Sequence, residues 1–125
     1  MMNDPYRVLL VDDEEQIRST FVAYFEDYEE FLITAAGSAE EGLDMLRREG
    51  AHLCIVDMRL PDMDGGAFIR AAAGCCPRFL IHTGSVETEL SAELKGLGMS
   101  DEDVLIKPCD MLRLLERIRR HLRAI

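Results

Sequence analysis

Short apolar runs alternate with longer amphipathic segments along this 125-residue chain. Five runs have the β-branched and leucine-rich character of buried strands: residues 6–11, 31–36, 53–57, 78–84 and 103–107. Five segments with apolar residues at helical spacing follow them: residues 12–28, 38–48, 66–73, 87–98 and 109–122. This alternation predicts βαβ units and a parallel sheet covered by helices on both faces.

Local signals refine three of the helices. Ser38 followed by Glu41 is a capping-box pattern that predicts a helix start, and Gly50 predicts the end of that helix. Residues 87–98 give a weaker helix prediction because they carry little apolar surface. For the last helix the spacing predicts one buried stripe, formed by Leu112, Leu115, Ile118 and Leu122.

The order and length of these elements predict a single domain over residues 1–125. Right-handed crossovers and this size indicate a flavodoxin-like α/β fold, a doubly wound five-stranded parallel sheet in the order 2-1-3-4-5 with five helices in a three-layer sandwich. The last helix is expected at about residues 109–123, and no output domain is expected within this chain.

The amino-acid composition indicates a folded globular domain. The chain is 48% apolar and 30% charged, which is ordinary for a folded globular domain. Its four cysteines show no C-x-x-C spacing, and no cysteine–histidine spacing matches a common zinc site, so we expect reduced thiols. No apolar run approaches the ~20 residues of a membrane span, and the N-terminus lacks signal-peptide character, so the sequence predicts a cytoplasmic protein.

Charge is strongly acidic and unevenly spread. The net charge of −10 opposes nucleic-acid binding by this domain. Residues 107–125 are the exception, with six Lys and Arg against two acids. An anionic partner or a solvated helix face would both explain that basic segment, and the exposed candidates within it are Arg113, Arg117 and Arg120.

Polar residues stand at the ends of the predicted strands, where ligands of such sheets bind. Asp12 and Asp13 end the first strand, Asp57 the third, Thr83 the fourth and Lys107 the fifth. Three carboxylates close together repel one another, and a hard divalent cation relieves that conflict. Oxygen ligands of this kind favour Mg²⁺ (or Mn²⁺).

The same set of side chains predicts phosphoryl chemistry. Asp57 is placed to act as a nucleophile that forms an aspartyl phosphate, with Lys107 neutralising charge and Thr83 donating a hydrogen bond to a phosphoryl oxygen. Each residue alone has a more ordinary explanation as a cap, turn or solvated strand end. Their joint placement at one edge of the sheet favours the functional interpretation.

Four segments resemble, in order, the hallmark segments of the receiver domain of two-component response regulators: "VLLVDDEEQIR", "LCIVDMRLPDMDG", "LIHTGS" and "VLIKPCD". The resemblance covers essentially the whole chain. It implies a phosphorelay signalling module in which Asp57 takes a phosphoryl group from the phosphohistidine of a sensor histidine kinase or histidine phosphotransfer protein. Such a domain is not an enzyme acting on a separate substrate; it catalyses only its own phosphorylation and dephosphorylation.

The resemblance also implies roles for individual residues. Asp13 would bind Mg²⁺ directly and Asp12 mainly through water, with Asp57 and the backbone carbonyl of Arg59 as further ligands. Lys107 would pair with the phosphoryl group, and its bond to Pro108 would be cis. Thr83 would turn inward on phosphorylation.

Two departures from the family pattern lie near the fifth strand. Val104 occupies the place of an aromatic residue, and "GLGMSDEDV" replaces a compact turn. We therefore expect switching through backbone and helix movement in residues 84–103 and at the surface of helix 5. A homodimer through the helix 4–strand 5–helix 5 face is compatible with the resemblance.

Three other functions share parts of this pattern. A haloacid-dehalogenase-type phosphatase needs a second acid two residues after its nucleophile, where this chain has Arg59. A flavodoxin-like electron carrier needs a loop of Ser, Thr or Gly after the first strand, whereas "DDEE" repels phosphate. An unphosphorylated, receiver-like scaffold stays open as an interaction module.

Overall fold

A computed structural model describes residues 4–85 and 89–123 of the chain. In chain order its elements are β1 Tyr6–Val11, α1 Glu15–Phe25, β2 Phe31–Ala36, α2 Ala39–Glu49, β3 Leu53–Val56, α3 Gly65–Ala72, β4 Phe79–Thr83, α4 Ala92–Gly96, a 3-10 helix Asp101–Asp103, β5 Val104–Ile106 and α5 Met111–Arg123. The strands pair in parallel in the order β2-β1-β3-β4-β5. The predicted flavodoxin-like fold and its sheet order are confirmed.

Helices on both faces of the sheet explain why the strands are almost continuously apolar. Successive residues of a strand point to opposite faces, so the same strands supply two cores. Leu9 and Val56 belong to the core under α2, α3 and α4. Leu10 and Ile55 belong to the core under α1 and α5, together with Phe21.

α2 begins and ends at the predicted signals. Ser38 Oγ accepts a hydrogen bond from Glu41 N at 3.2 Å. The Glu41 carboxylate accepts from Gly37 N rather than from the N-cap residue, so the capping box is formed with a neighbour. Gly50 has a positive φ of 69° and its N–H donates to Leu46 O at 2.8 Å, which ends the helix.

The prediction of a helix over residues 87–98 was too long. α4 covers Ala92–Gly96 only, and residues 86–88 lie outside the described part of the chain. Ser91 is the N-cap, since its side chain accepts a hydrogen bond from the first turn, and this fixes the late start. Gly98, with a φ of 95°, lies just past the end of the helix.

α5 differs from its prediction in its start and in one member of its buried stripe. It begins at Met111, because Asp110 Oδ1 accepts a hydrogen bond from a first-turn N–H at 2.9 Å. Leu112 was wrongly placed in the core, since it is 61% exposed. At about 100° per residue, Leu112 lies about 120° around the helix from Ile118, whereas Leu114 lies about 40° away. Leu114 is accordingly fully buried.

Two of the four cysteines pack in the core as small apolar side chains. All four are free thiols, and Cys54 and Cys76 are buried. Burial raises the pKa of Cys76 to about 11, so this thiol stays protonated and unreactive near neutral pH.

Candidate functional site

The five candidate side chains of the sequence meet at one edge of the sheet, beyond the carboxyl ends of its strands. Asp12 and Asp13 follow β1, Asp57 follows β3, Thr83 ends β4 and Lys107 follows β5. β1 leads into α1 on one face and β3 leads into α3 on the other. A crevice therefore opens between these two central strands.

Lys107 joins the two buried acids. Its Nζ lies 2.8 Å from Asp12 Oδ2, 2.9 Å from Asp57 Oδ2 and 3.7 Å from Glu14 Oε1. Burial opposes its positive charge, but the hydrogen bonds to Asp12 and Asp57 outweigh burial and raise the pKa of Lys107. The ammonium therefore stays charged and offsets one of the two buried carboxylates.

Three carboxylates are placed to hold a cation. Oxygen atoms of Asp12, Asp13 and Asp57 all lie within 4.8 Å of one another. Asp12 is completely buried with its Oδ2 paired to the ammonium of Lys107, whereas Asp13 is exposed. An all-oxygen donor set with one exposed member fits a hard divalent cation such as Mg²⁺.

Asp57 is held by both of its oxygens. Oδ2 accepts a hydrogen bond from Lys107, and Oδ1 accepts one from Arg59 N at 3.2 Å. The Arg59 side chain is exposed, and its backbone forms an antiparallel bridge with Asp64. Arg59 thus lies beside Asp57, while the role of its carbonyl as a metal ligand stays a prediction.

An open cleft of about 350 Å³ faces the Asp57 carboxylate. It is lined by Asp13, Glu14, Asp57, Arg59, Thr83, Gly84, Ser85 and Lys107. Most of these side chains are charged or carry a hydroxyl group, so the cleft suits a small anionic group that arrives with a cation.

Neighbouring residues of β4 serve opposite faces of the sheet. Thr83 is fully buried, and its Oγ1 accepts a hydrogen bond from Ser85 N at 3.2 Å. His82 lies against Phe21, with ring centroids 5.7 Å apart. Burial, and then the positive charge of Lys107, lower the pKa of His82, so the imidazole is neutral near neutral pH.

Sequence reasoning missed several acids around the site. Glu14 approaches Lys107 because it follows Asp12 by two residues, and Asp12 Oδ1 accepts the Glu14 N–H at 2.9 Å. Asp64 caps α3, and Asp62 accepts hydrogen bonds from the start of α2. Asp64 carried a usable signal, an acid directly before a helix. Asp62 carried none, because its partners are distant in sequence.

The flanks of β5 agree with the resemblance at Pro108 and depart from it at Val104. The Lys107–Pro108 bond is cis. Val104, in place of an aromatic residue, is partly buried against the core under α2, α3 and α4.

Comparisons with known proteins define the class. The family model for the response regulator receiver domain matches residues 8–119. The alginate biosynthesis transcriptional regulatory protein AlgB of Pseudomonas putida is 31% identical over 110 residues, which are 86% of this chain and 24% of that protein. The response regulator Rre1 of Synechocystis is 36% identical over 69 residues, 55% of this chain and 30% of that protein.

Solved structures agree with this family match. The signal receiver domain of a putative Luxo repressor protein from Vibrio parahaemolyticus has a TM-score of 0.83 and 26% identity, covering 96% of this chain and 92% of that one. The chemotaxis response regulator CheY4 of Vibrio cholerae, with a TM-score of 0.75 and 24% identity over 94% and 98% of the two chains, shares the fold.

This chain therefore belongs to the response regulator receiver domain family of two-component systems. Receiver domains bind Mg²⁺ at an acidic pocket and interact with histidine kinases or phosphotransfer proteins. The chain spans about a quarter to a third of the length of the curated relatives it matches. None of the helices in residues 4–85 and 89–123 combines the length and apolar character needed to cross a bilayer.

Proposed function

We propose that this chain accepts a phosphoryl group on Asp57 from the phosphohistidine of a sensor histidine kinase or histidine phosphotransfer protein. The observation that carries the proposal is the setting of Asp57. Its carboxylate is 2.9 Å from Lys107 Nζ, shares a cluster with two further carboxylates, and faces an open cleft. This arrangement combines a nucleophile with charge neutralisation and access for a protein partner.

The reaction transfers one phosphoryl group and nothing else. A carboxylate oxygen of Asp57 attacks phosphorus, the phosphorus–nitrogen bond breaks, and the imidazole leaves with the electron pair. The product is an acyl phosphate, which water later hydrolyses to regenerate the carboxylate and inorganic phosphate. The domain therefore turns over no separate substrate, and in this sense we propose that it is not an enzyme.

The surrounding residues prepare this transfer. Asp12, Asp13, Asp57 and the Arg59 carbonyl would hold the cation, and Mg²⁺ (or Mn²⁺) when bound supplies positive charge to the phosphoryl oxygens. Lys107 presents an ammonium to the same oxygens. The Thr83 hydroxyl donates a hydrogen bond to the phosphoryl group once that group is in place.

We propose that the signal leaves through residues 84–103 and the surface of α5, with Thr83 drawn toward the phosphoryl group. α4 is only five residues long, and Leu94 is its buried residue, so little packing opposes its movement. Arg113 and Arg120 are exposed and could meet an acidic partner or a second copy of this chain, although Arg120 Nη1 already lies 3.9 Å from Glu102 Oε2. Arg117, expected beside them, is instead largely buried and paired with Asp103.

We propose a cytoplasmic location, which the thiols and the phosphoryl donor support. Four unpaired cysteines suit a reducing environment, which the cytoplasm provides. We place the domain there, where a kinase can supply the phosphoryl group.

The direct test treats the purified chain with acetyl phosphate and Mg²⁺. Intact mass should rise by one phosphoryl group in the wild type and in Asp44→Asn, an exposed control on α2. Asp57→Asn should show no rise. If wild-type mass never increases with any donor, the domain is instead an unphosphorylated interaction module.

A second measurement tests the cation ligands. Mg²⁺ should raise the melting temperature of the wild type, since a ligand that binds only the folded state stabilises it. Asp13→Asn should lose most of that increase. Equal Mg²⁺ responses in the two proteins would remove Asp13 from the ligand set.

A further inference from the structure

The loop between β3 and α3 is fastened to the start of α2. Asp62 Oδ1 accepts a hydrogen bond from Ala39 N, and Asp62 Oδ2 accepts one from Glu40 N, both at 2.9 Å. These N–H groups belong to the first turn of α2, where no partner exists within the helix itself. The Asp62 carboxylate therefore ties two parts of the chain that are more than twenty residues apart.

The chemistry of this contact makes it firm. A carboxylate at a helix N-terminus accepts charge-assisted hydrogen bonds and meets the positive end of the helix dipole. The bonds from Glu40 and Ala39 hold the pKa of Asp62 below its ordinary value, so it is charged near neutral pH. The N-cap residue Ser38 serves a different N–H, that of Glu41. The two caps of α2 are therefore separable by mutation.

The base of the same loop is closed beside the candidate site. Gly65 N donates to Met58 O at 2.9 Å, and Arg59 and Asp64 form an antiparallel bridge. A Cβ atom on Gly65 would lie only 2.7 Å from the carbonyl oxygen of Asp57. Because the base of the loop, formed by Arg59 and Asp64, is closed and tightly packed, it has little freedom to move independently of the tip at Asp62.

We propose that Asp62 is a positioning residue for the phosphoacceptor site. By clamping the tip of the loop to α2, it sets the orientation of the two peptide units that flank the Arg59 Cα at the base. The first donates the Arg59 N–H to Asp57 Oδ1 at 3.2 Å, and the second carries the Arg59 carbonyl expected to bind the cation. The inference rests on the proposed function and adds to it a connection between α2 and the cation site.

Calorimetric titration of the full, unphosphorylated chain with MgCl₂ tests the clamp. Asp62→Ala should weaken Mg²⁺ binding about tenfold, the scale seen when a residue that orients a metal ligand is removed. Asp62→Asn keeps one acceptor oxygen and should lie between the wild type and Asp62→Ala. It also serves as the measured variant if Asp62→Ala does not fold.

Two matched variants separate positioning from simpler causes. Ser38→Ala removes the other cap of α2 but leaves the loop contact intact, so it controls for loss of helix stability. Glu40→Gln removes one exposed negative charge from the same helix terminus, so it controls for long-range attraction of the cation. Both variants should bind Mg²⁺ with an affinity within about twofold of that of the wild type, because neither side chain fixes the orientation of a metal ligand.

A metal-free measurement keeps this inference separate from the proposed function. In amide NMR spectra without Mg²⁺, Asp62→Ala should shift the Arg59 and Gly65 signals, and Ser38→Ala should not. If the wild type does not bind Mg²⁺, the proposed cation site is wrong. The amide shifts measured without Mg²⁺ then decide by themselves whether Asp62 orients the loop. If Asp62→Ala binds Mg²⁺ as tightly as the wild type and its Arg59 and Gly65 amide signals do not shift, Asp62 is not a positioning residue. The same conclusion follows if Ser38→Ala or Glu40→Gln loses as much Mg²⁺ affinity as Asp62→Ala.

Discussion

The two sides of the Asp57 site are built differently. On the α2 side, an eleven-residue helix has two separate caps, and one of them comes from the loop that follows Asp57. On the α4 side, the helix has five residues and a single side-chain cap from Ser91. The two sides suit different roles, because an acceptor and its cation need fixed geometry, whereas a switch needs a region of low local stability that can rearrange.

The α4 side nevertheless has one firm anchor. Asp103, directly before β5, is 2% exposed and accepts hydrogen bonds from Arg117 Nη2 at 2.9 Å and Ser100 N at 2.9 Å, with His121 Nε2 at 2.6 Å. Arg117 and His121 both belong to α5. Asp103 therefore connects the start of β5 to α5 through side-chain contacts.

The largest expected effect comes from Lys107→Ala. Without the ammonium, the buried carboxylates of Asp12 and Asp57 face each other unpaired. Urea unfolding without Mg²⁺ should show a loss of about 3 kcal/mol, the lower end for breaking a buried ion pair because the cleft is open to water. Lys95→Ala, on the exposed face of α4, should change little. Similar losses in both proteins would contradict the pairing.

Gly65→Ala should distort the loop that follows Asp57, on the α2 side of the site. A Cβ at this position would meet the Asp57 carbonyl oxygen at 2.7 Å and Met58 Cα at 2.8 Å, and both are backbone atoms that move only with the loop. We expect a loss of about 2 kcal/mol in unfolding free energy and weaker Mg²⁺ binding. Gly74→Ala, where a Cβ meets nothing within 4 Å, is the control and should be neutral.

Asp103→Asn should loosen the anchor with a defined pH dependence. Burial raises the pKa of Asp103, but hydrogen bonds from His121, Ser100 and Arg117 outweigh it and hold the pKa below the ordinary 3.8. A lowered carboxyl pKa adds stability above the unfolded-state pKa, and this is lost as the pH falls through the folded-state pKa.

The substitution should therefore cost about 1.5 kcal/mol at neutral pH. The unfolding free energies of the wild type and Asp103→Asn should converge as the pH falls below 3.8. The exposed neighbour Asp101, changed to Asn, should behave as wild type throughout. A difference between wild type and Asp103→Asn that is independent of pH would show that the charge of Asp103 is not the cause.

The smallest expected effect is a gain in the α4 region. Gly96→Ala has open space for its Cβ and a helical position, so it should stabilise α4 by about 0.5–1 kcal/mol. In hydrogen exchange with beryllium fluoride and Mg²⁺, the wild type should change protection in residues 89–103 far more than in α2. Gly96→Ala should reduce that change. If protection changes equally in α2 and in residues 89–103, the two sides of the site do not differ in their ability to rearrange.

Prediction from the sequence succeeded where periodicity and strand ends were informative. The apolar runs placed all five strands, and the sheet order then brought Asp12, Asp57, Thr83 and Lys107 to one edge. It failed at α4 because a short helix is set by its cap. It failed at Leu112 because six residues along a helix place this side chain about 120° from Ile118. In those two cases, contacts with the rest of the fold decided what local pattern could not.

The layered fold and the identity of the residues at the site could be predicted from the sequence, since strand alternation and strand ends are local properties of the chain. How those residues are charged and held depends on the packing of the whole fold. Only packing places Lys107 between two buried carboxylates, and only packing brings Asp62 to the first turn of α2. The physical reason is that electrostatic and hydrogen-bonding energies depend on distances between residues far apart in sequence, and no local pattern encodes these distances.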